Sequence, residues 1–131
     1  MQINPDILVN SKTLSSAWEV NSTGYNSNGY YIRFENGIQI CAKQVSVSGL
    51  NFENAWGNLY EHKTAINLGN WPIAFKYSPF VNTTKLNGQG SWLQVLENQS
   101  ATSAGSCYLA SARNYSSANV VINLLAFGTW K

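Results

Sequence analysis

One stretch constrains the fold more than any other. Tyr30-Tyr31-Ile32-Arg33-Phe34 and Ile38-Gln39-Ile40-Cys41-Ala42 are aromatic and β-branched runs separated by Glu35-Asn36-Gly37. Two such runs joined by a short glycine-containing loop read as a β-hairpin. A two-residue Asn36-Gly37 turn would pair Phe34 with Gln39 and Ile32 with Cys41. A three-residue loop instead pairs Phe34 with Ile38, Ile32 with Ile40 and Tyr30 with Ala42. The second register collects one apolar row on one face and leaves Arg33 and Gln39 together on the other. A slip of one residue moves every side chain to the opposite face, so the pattern selects the second register. Gly37 then takes the left-handed position of a G1 bulge, where the missing Cβ removes the steric penalty.

The rest of the chain reads as more short strands. Trp18-Glu19-Val20 offers a first one, and 21–28 reads as a turn-rich loop. Residues 45–65 are less regular and carry Trp56, Tyr60 and His62. Strand-like runs follow at 71–77, 80–84, 92–97 and 107–112, with Pro72 and Pro79 suited to strand starts or edges. The last run, 119–130, is apolar on both faces: Val120, Ile122, Leu124 and Ala126 on one, Val121, Leu125 and Phe127 on the other. That pattern predicts cover on both sides, a second sheet on one and a partner subunit on the other. Residues 1–17 are weakly patterned and read as a lead-in segment or the end of a shaft. No 3.6-residue stripe stands out. The expectation is an all-β chain whose residues 18–131 form a single antiparallel β-sandwich or barrel-like domain.

Composition narrows the partners. Charged residues are 11% of the chain, under half of the usual quarter. The polar content is neutral instead, with 17 Asn, 15 Ser and 7 Thr among 131 residues. Aromatics at 13% argue for a packed fold over disorder. With a net charge of +2 and scattered Lys and Arg, no basic stripe exists for nucleic acid. No run approaches the roughly 18 apolar residues of a membrane span, and Met1 to Val9 lacks the regions of a signal peptide. The N-x-S/T matches at Asn21, Asn82, Asn98 and Asn114 are therefore expected to stay unmodified. Cys41 and Cys107 read as buried thiols, although a disulfide stays open where the Cα atoms approach within about 7 Å. Neither sits in a zinc-binding pattern, so no metal is expected.

Catalytic patterns are missing. The chain has one histidine, His62, and one aspartate, Asp6, with no G-x-S-x-G elbow. Glu53 and Glu61 flank Trp56 and Tyr60, as two acids would flank a sugar cleft, but solvated loop carboxylates are the ordinary reading. Gly88-Gln89-Gly90 is a turn, because no G-K-S/T follows. The expectation is a binding protein, not an enzyme, with no cofactor. Aromatic faces stack on sugar C–H groups while amides bind hydroxyls. Trp56, Tyr60, Trp92, Tyr108 and Tyr115 qualify, against core packing for each. Tyr115 is favoured because it lies in the loop-like Arg113-Asn114-Tyr115-Ser116-Ser117. Tyr115 would stack, Arg113 and Asn114 would donate to hydroxyls, and Asn87 and Trp92 would assist.

Several motifs are also familiar in order. The stretch from Asn28 to Cys41 resembles the "NGYYIKFSNGLQIC" opening of C-terminal domains of bacteriophage and prophage tail fibres. Ala55-Trp56-Gly57-Asn58-Leu59-Tyr60 resembles a WGNLY segment of related tail proteins. Trp71-Pro72-Ile73-Ala74-Phe75 with Ser78-Pro79-Phe80-Val81 resembles "FPIAF…SPxV", and Val120 to Lys131 resembles the terminal "VNLLAIGRWK". Thr129 departs from the common Arg, so any contact made by that Arg is missing here. The resemblance covers roughly residues 28–131. It implies a distal β-domain of a virion tail fibre, acting outside the cell on a host-surface glycan or protein receptor, joined to an upstream shaft and usually homotrimeric. It carries no catalytic motif. A structural cap that keeps fibre chains in register, or a cellular lectin or adhesin of the same fold, are the alternatives.

Overall fold

In the computed structural model, which describes residues 8–9, 12–87 and 90–131, the hairpin takes the three-residue register. Tyr30 faces Ala42, Ile32 faces Ile40 and Arg33 faces Gln39. Gly37 has a φ of 94°, and its amide closes the loop on the Phe34 carbonyl at 3.0 Å. The apolar row, however, points outward. The inward residues of the second strand are Gln39, Cys41 and Lys43, all buried. Gln39 survives inside because it is satisfied: it accepts from Arg33 Nε at 2.8 Å and donates to the Ile73 carbonyl at 3.2 Å.

Strands β1 (Leu8–Val9) and β2 (Lys12–Thr13) form a separate pair, followed by one helical turn, α1 (Leu14–Ala17). The other strands form one antiparallel sheet. They are β3 (Val20–Asn26), β4 (Gly29–Phe34), β5 (Ile38–Trp56), β6 (Leu59–His62), β7 (Ile66–Asn70), β8 (Phe80–Asn87), β9 (Ser91–Glu97), β10 (Ser103–Ser111) and β11 (Tyr115–Thr129). The sheet curls into a half-barrel. The long β5 is its spine, pairing with β11 along most of its length, with β4 over Gln39 to Ala42, and with β6 at its far end. Strand β8 adds to β11, while β10 carries β6 and β7 on one edge and β9 on the other.

Three sequence readings are corrected. Residues 21–28 are mostly strand: β3 pairs its backbone with β4 through Asn26, and only residues 27 and 28 turn. Residues 45–65 contain most of β5 and all of β6. Their alternation was hidden by irregularities. Gly49, at φ 70°, changes the inward parity from Cys41 and Lys43 to Leu50 and Phe52, and a bulge between Phe52 and Asn54 changes it again. Residues 71–77 are not a strand. The amides of Trp71 and Phe75 bond to the carbonyls of Thr102 and Ala101 instead of a ladder, and both rings plug the core, edge to face at 5.9 Å.

The core inside the curve includes Phe52, Leu68, Trp71, Leu109, Ile122 and Leu124. Lys43 crosses this interior. Its ammonium donates to the carbonyls of Leu68 at 2.6 Å and Asn70 at 2.7 Å, stitching β5 to β7, and burial holds its pKa below the ordinary lysine value. The C-terminus is clamped to the hairpin loop. The Trp130 amide bonds to the Gly37 carbonyl at 2.9 Å, its indole N–H bonds to the Phe34 carbonyl at 2.9 Å, and the Arg33 guanidinium sits 5.1 Å above its ring.

Cys41 and Cys107 are free and fully buried. Burial raises both thiol pKa values, that of Cys107 to about 11. The thiolate is the reactive species, so both should resist thiol reagents at mildly alkaline pH in the native state and react once the chain is unfolded. Because the folded thiol holds its proton where the unfolded one has lost it, their contribution to stability is lost as pH climbs from the ordinary thiol value through that of the folded state. Mass-spectrometric counting of alkylated cysteines, with and without denaturant, checks the first expectation.

Candidate functional site

The pairing gives the half-barrel two distinct ends. The chain arrives at one end, where the amides of Glu35 and Asn36 bond to the carbonyls of Glu19 and Ala17 at 2.9 and 2.8 Å. The clamped C-terminus and the 71–79 segment lie at this same proximal end. At the distal end three segments come together. Ser111 faces Ser91 on one side and Tyr60 on the other. The start of β9, the β10–β11 loop and the tip of the β5–β6 hairpin are therefore neighbours.

The sequence-selected residues fall at this distal end. Arg113 and Asn114 are exposed, and Trp92 is partly open. The Asn87 side chain lies outside the described residues. Tyr115 joins the cluster differently than expected. It is half-buried against the core, edge-on to Phe52 at 6.4 Å, with its hydroxyl beside Gly90. Its ring forms part of the wall between core and loops and is not an open platform. Tyr60 also packs on the core, whereas Trp56 remains about half exposed.

The outward face of β5 and β11 changes character along its length. Near the proximal end it carries Ile40 and Ala42 on β5 and Phe127 and Leu125 on β11. Phe127 faces Phe80 of β8 and Ile40; Leu125 faces Ala42, which faces Tyr30, which faces Tyr25. Directly opposed residues of a sheet share a face, so these form one apolar patch. Phe80 is 85% exposed, Tyr30 65%, Leu125 51% and Phe127 49%. A shallow groove of about 440 Å³ runs along it, with Asn82, Thr84 and Asn123 at its side. Further toward the distal end the same face turns polar. Gln44 donates to Asn123 at 3.0 Å, and Ser46 and Ser48 follow.

At the distal end this polar face opens into a second groove of about 320 Å³, lined by Asn51, Glu53, Asn54, His62 and Lys63. Asn54 donates to Glu61 at 2.9 Å. From β11, the Ser116 hydroxyl reaches Glu53 at 3.5 Å and the Ser117 amide donates to Asn51 Oδ1 at 2.9 Å. Ser117 has a φ of 55°, a conformation uncommon outside glycine. His62 Nδ1 lies 2.7 Å from the Thr64 carbonyl. Sequence reasoning noted Glu53 and Glu61 but missed Asn51, Asn54 and Lys63, because the bulge that gathers them leaves no spacing signature. Among the described residues, no group of three His, Cys, Asp or Glu is placed to hold a metal ion, and no helix is long and apolar enough to cross a membrane.

No protein-family profile and no curated protein matches the sequence. Two solved structures share the fold. One is an N-truncated R1-type pyocin tail fibre, with a TM-score of 0.53 and 15% identity over 82% of this chain and 84% of that one. The other is a P. aeruginosa R1 pyocin fibre comprising C-terminal residues 323–701, with a TM-score of 0.50 and 14% identity. The match covers 82% of this chain and 27% of that longer fragment. At 15% and 14% identity the likeness to both is one of fold.

Proposed function

We propose that this chain is the tip of a phage or prophage tail fibre, and that its distal loops bind a host cell-surface receptor, a glycan, without chemical turnover. The observation that carries the reading is the placement of the loops. The entry of the chain at Ala17 to Glu19 and the C-terminus occupy one end of the half-barrel, and the β5–β6 and β10–β11 connections meet the start of β9 at the other. On a fibre whose shaft precedes this domain, those loops face outward. They present neutral hydrogen-bonding groups and partly open indoles, the chemistry of glycan contact.

The same reading assigns the proximal apolar patch to other copies of the chain. Exposed aromatic and aliphatic rows on one sheet face mark an interaction surface, and the change from apolar to polar along β5 and β11 divides a subunit-facing half from a solvent-facing half. A homotrimer buries that half and leaves the distal grooves open. Labelled protein incubated with a panel of bacterial strains tests the function. Binding to particular strains, blocked by their purified surface polysaccharide and without release of sugar fragments, is the expected result. Binding to none, or release of fragments, contradicts the proposal.

A further inference from the structure

We propose that the polar groove at the junction of β5, β6 and β11 is a saccharide subsite for a neutral pyranose, with Trp56 as its stacking face and Asn51, Glu53 and Asn54 as its polar wall. The inference deepens the receptor-binding reading and rests on it, but it stands on separate observations. The bulge between Phe52 and Asn54 aims two successive side chains, Glu53 and Asn54, to the outward face, which a regular strand cannot do. β11 is irregular directly alongside, between Tyr115 and Ala118. Ser117 within it holds its strained φ of 55° and gives its amide to Asn51. Such backbone outliers persist where surrounding structure fixes them and cluster at binding sites. Two opposed irregularities, one in each strand, thus shape the groove.

The chemistry identifies the ligand class. Beyond the bulge Tyr60 packs toward the core, so its opposite neighbour Ala55 shares that side, and Asn54 and Trp56 share the outward side. Two residues along a strand span about 7 Å, enough for one pyranose ring laid on the indole with its edge hydroxyls against Asn54. Asn51 and Asn54 supply amide donors and acceptors, while Glu53 accepts from a hydroxyl pair. Carboxylates at Glu53 and Glu61 outnumber the single ammonium of Lys63, so the groove repels acidic sugars.

Amide-detected NMR of the intact chain, titrated with galactose, glucose, mannose and, separately, sialic acid to about 50 mM, tests the subsite in the range of weak single-sugar affinities. At least one neutral hexose should shift the Asn54 side-chain and Trp56 indole signals in a saturable way, and sialic acid should shift neither. Asn54→Ala and Trp56→Ala should each weaken that binding about tenfold or more while leaving the remaining spectrum in place. Asn54→Ala decides the matter should Trp56→Ala perturb the hairpin. If no hexose moves these signals, if the shifts fall elsewhere, or if both variants bind the sugar like the parent, the subsite is wrong. Host cells bound equally by parent and variants overturn the subsite alone; a parent that binds no cells overturns the tip reading beneath it.

Discussion

Replacing Gly105 by alanine is expected to remove roughly 3–5 kcal/mol of stability. Gly105 sits in β10 with a φ of 78°, opposite Gly69 of β7 at 75°. A left-handed alanine already costs about 1–2 kcal/mol. The added Cβ would also run into the Glu97 carbonyl oxygen and crowd the backbone of Asn98 and Gln99. Backbone atoms of a paired strand cannot swing aside as a flexible side chain can, so the β9–β10 edge has to separate. Gly57→Ala is the control. Its φ is 61° and a Cβ there meets nothing within 4 Å, so only the conformational cost applies. Urea unfolding of both variants separates clash from backbone preference. Equal midpoints would show that the Gly105 contact relaxes at little cost.

The second large effect concerns assembly. Leu125→Lys combined with Phe127→Lys should leave the folded monomer nearly as stable as the parent, because both side chains are about half exposed and outside the core. Two buried hot-spot residues of an interface contribute about 2 kcal/mol or more each, so association should weaken by roughly a thousandfold. Light scattering should give a trimer mass for the parent and a monomer mass for the variant, with matching far-ultraviolet circular dichroism. A parent that remains monomeric at tens of micromolar (about the range where weak interfaces fill) assigns this face to something other than its own copies.

Much of the fold was legible. The hairpin register followed from the pairing of Ile32 with Ile40, and the positive φ of Gly37 followed from the register. What the pattern left open was which face is the interior. An apolar row normally marks the core side, yet here Tyr30, Ile32, Ile40 and Ala42 face out, while Gln39, Lys43 and Arg33 bond inside. Local alternation identifies two faces and cannot say which one is covered by another chain. Residues 45–65 were unreadable for a different reason. A two-residue period holds only until a bulge resets it, and Gly49 and Glu53 each do so. Tyr115 illustrates a third limit. Its neighbours in sequence are loop-like, but its burial depends on Phe52, which is 63 positions away and paired with it across β5 and β11.

The proposed function requires the distal end, and not the proximal one, to meet the host, and comparing two variants for binding to the same cells tests that requirement. One carries Trp92→Ala, Arg113→Ala and Asn114→Ala at the distal loops. The other carries Lys76→Ala and Tyr77→Ala, exposed in the proximal 71–79 segment. Both should remain folded and keep the parent's mass. The distal variant should bind host cells about tenfold or more weakly, as the loss of hot-spot contacts requires, while the proximal variant binds like the parent. A distal variant that binds cells as tightly as the parent, or a proximal variant that has lost binding, contradicts the assignment.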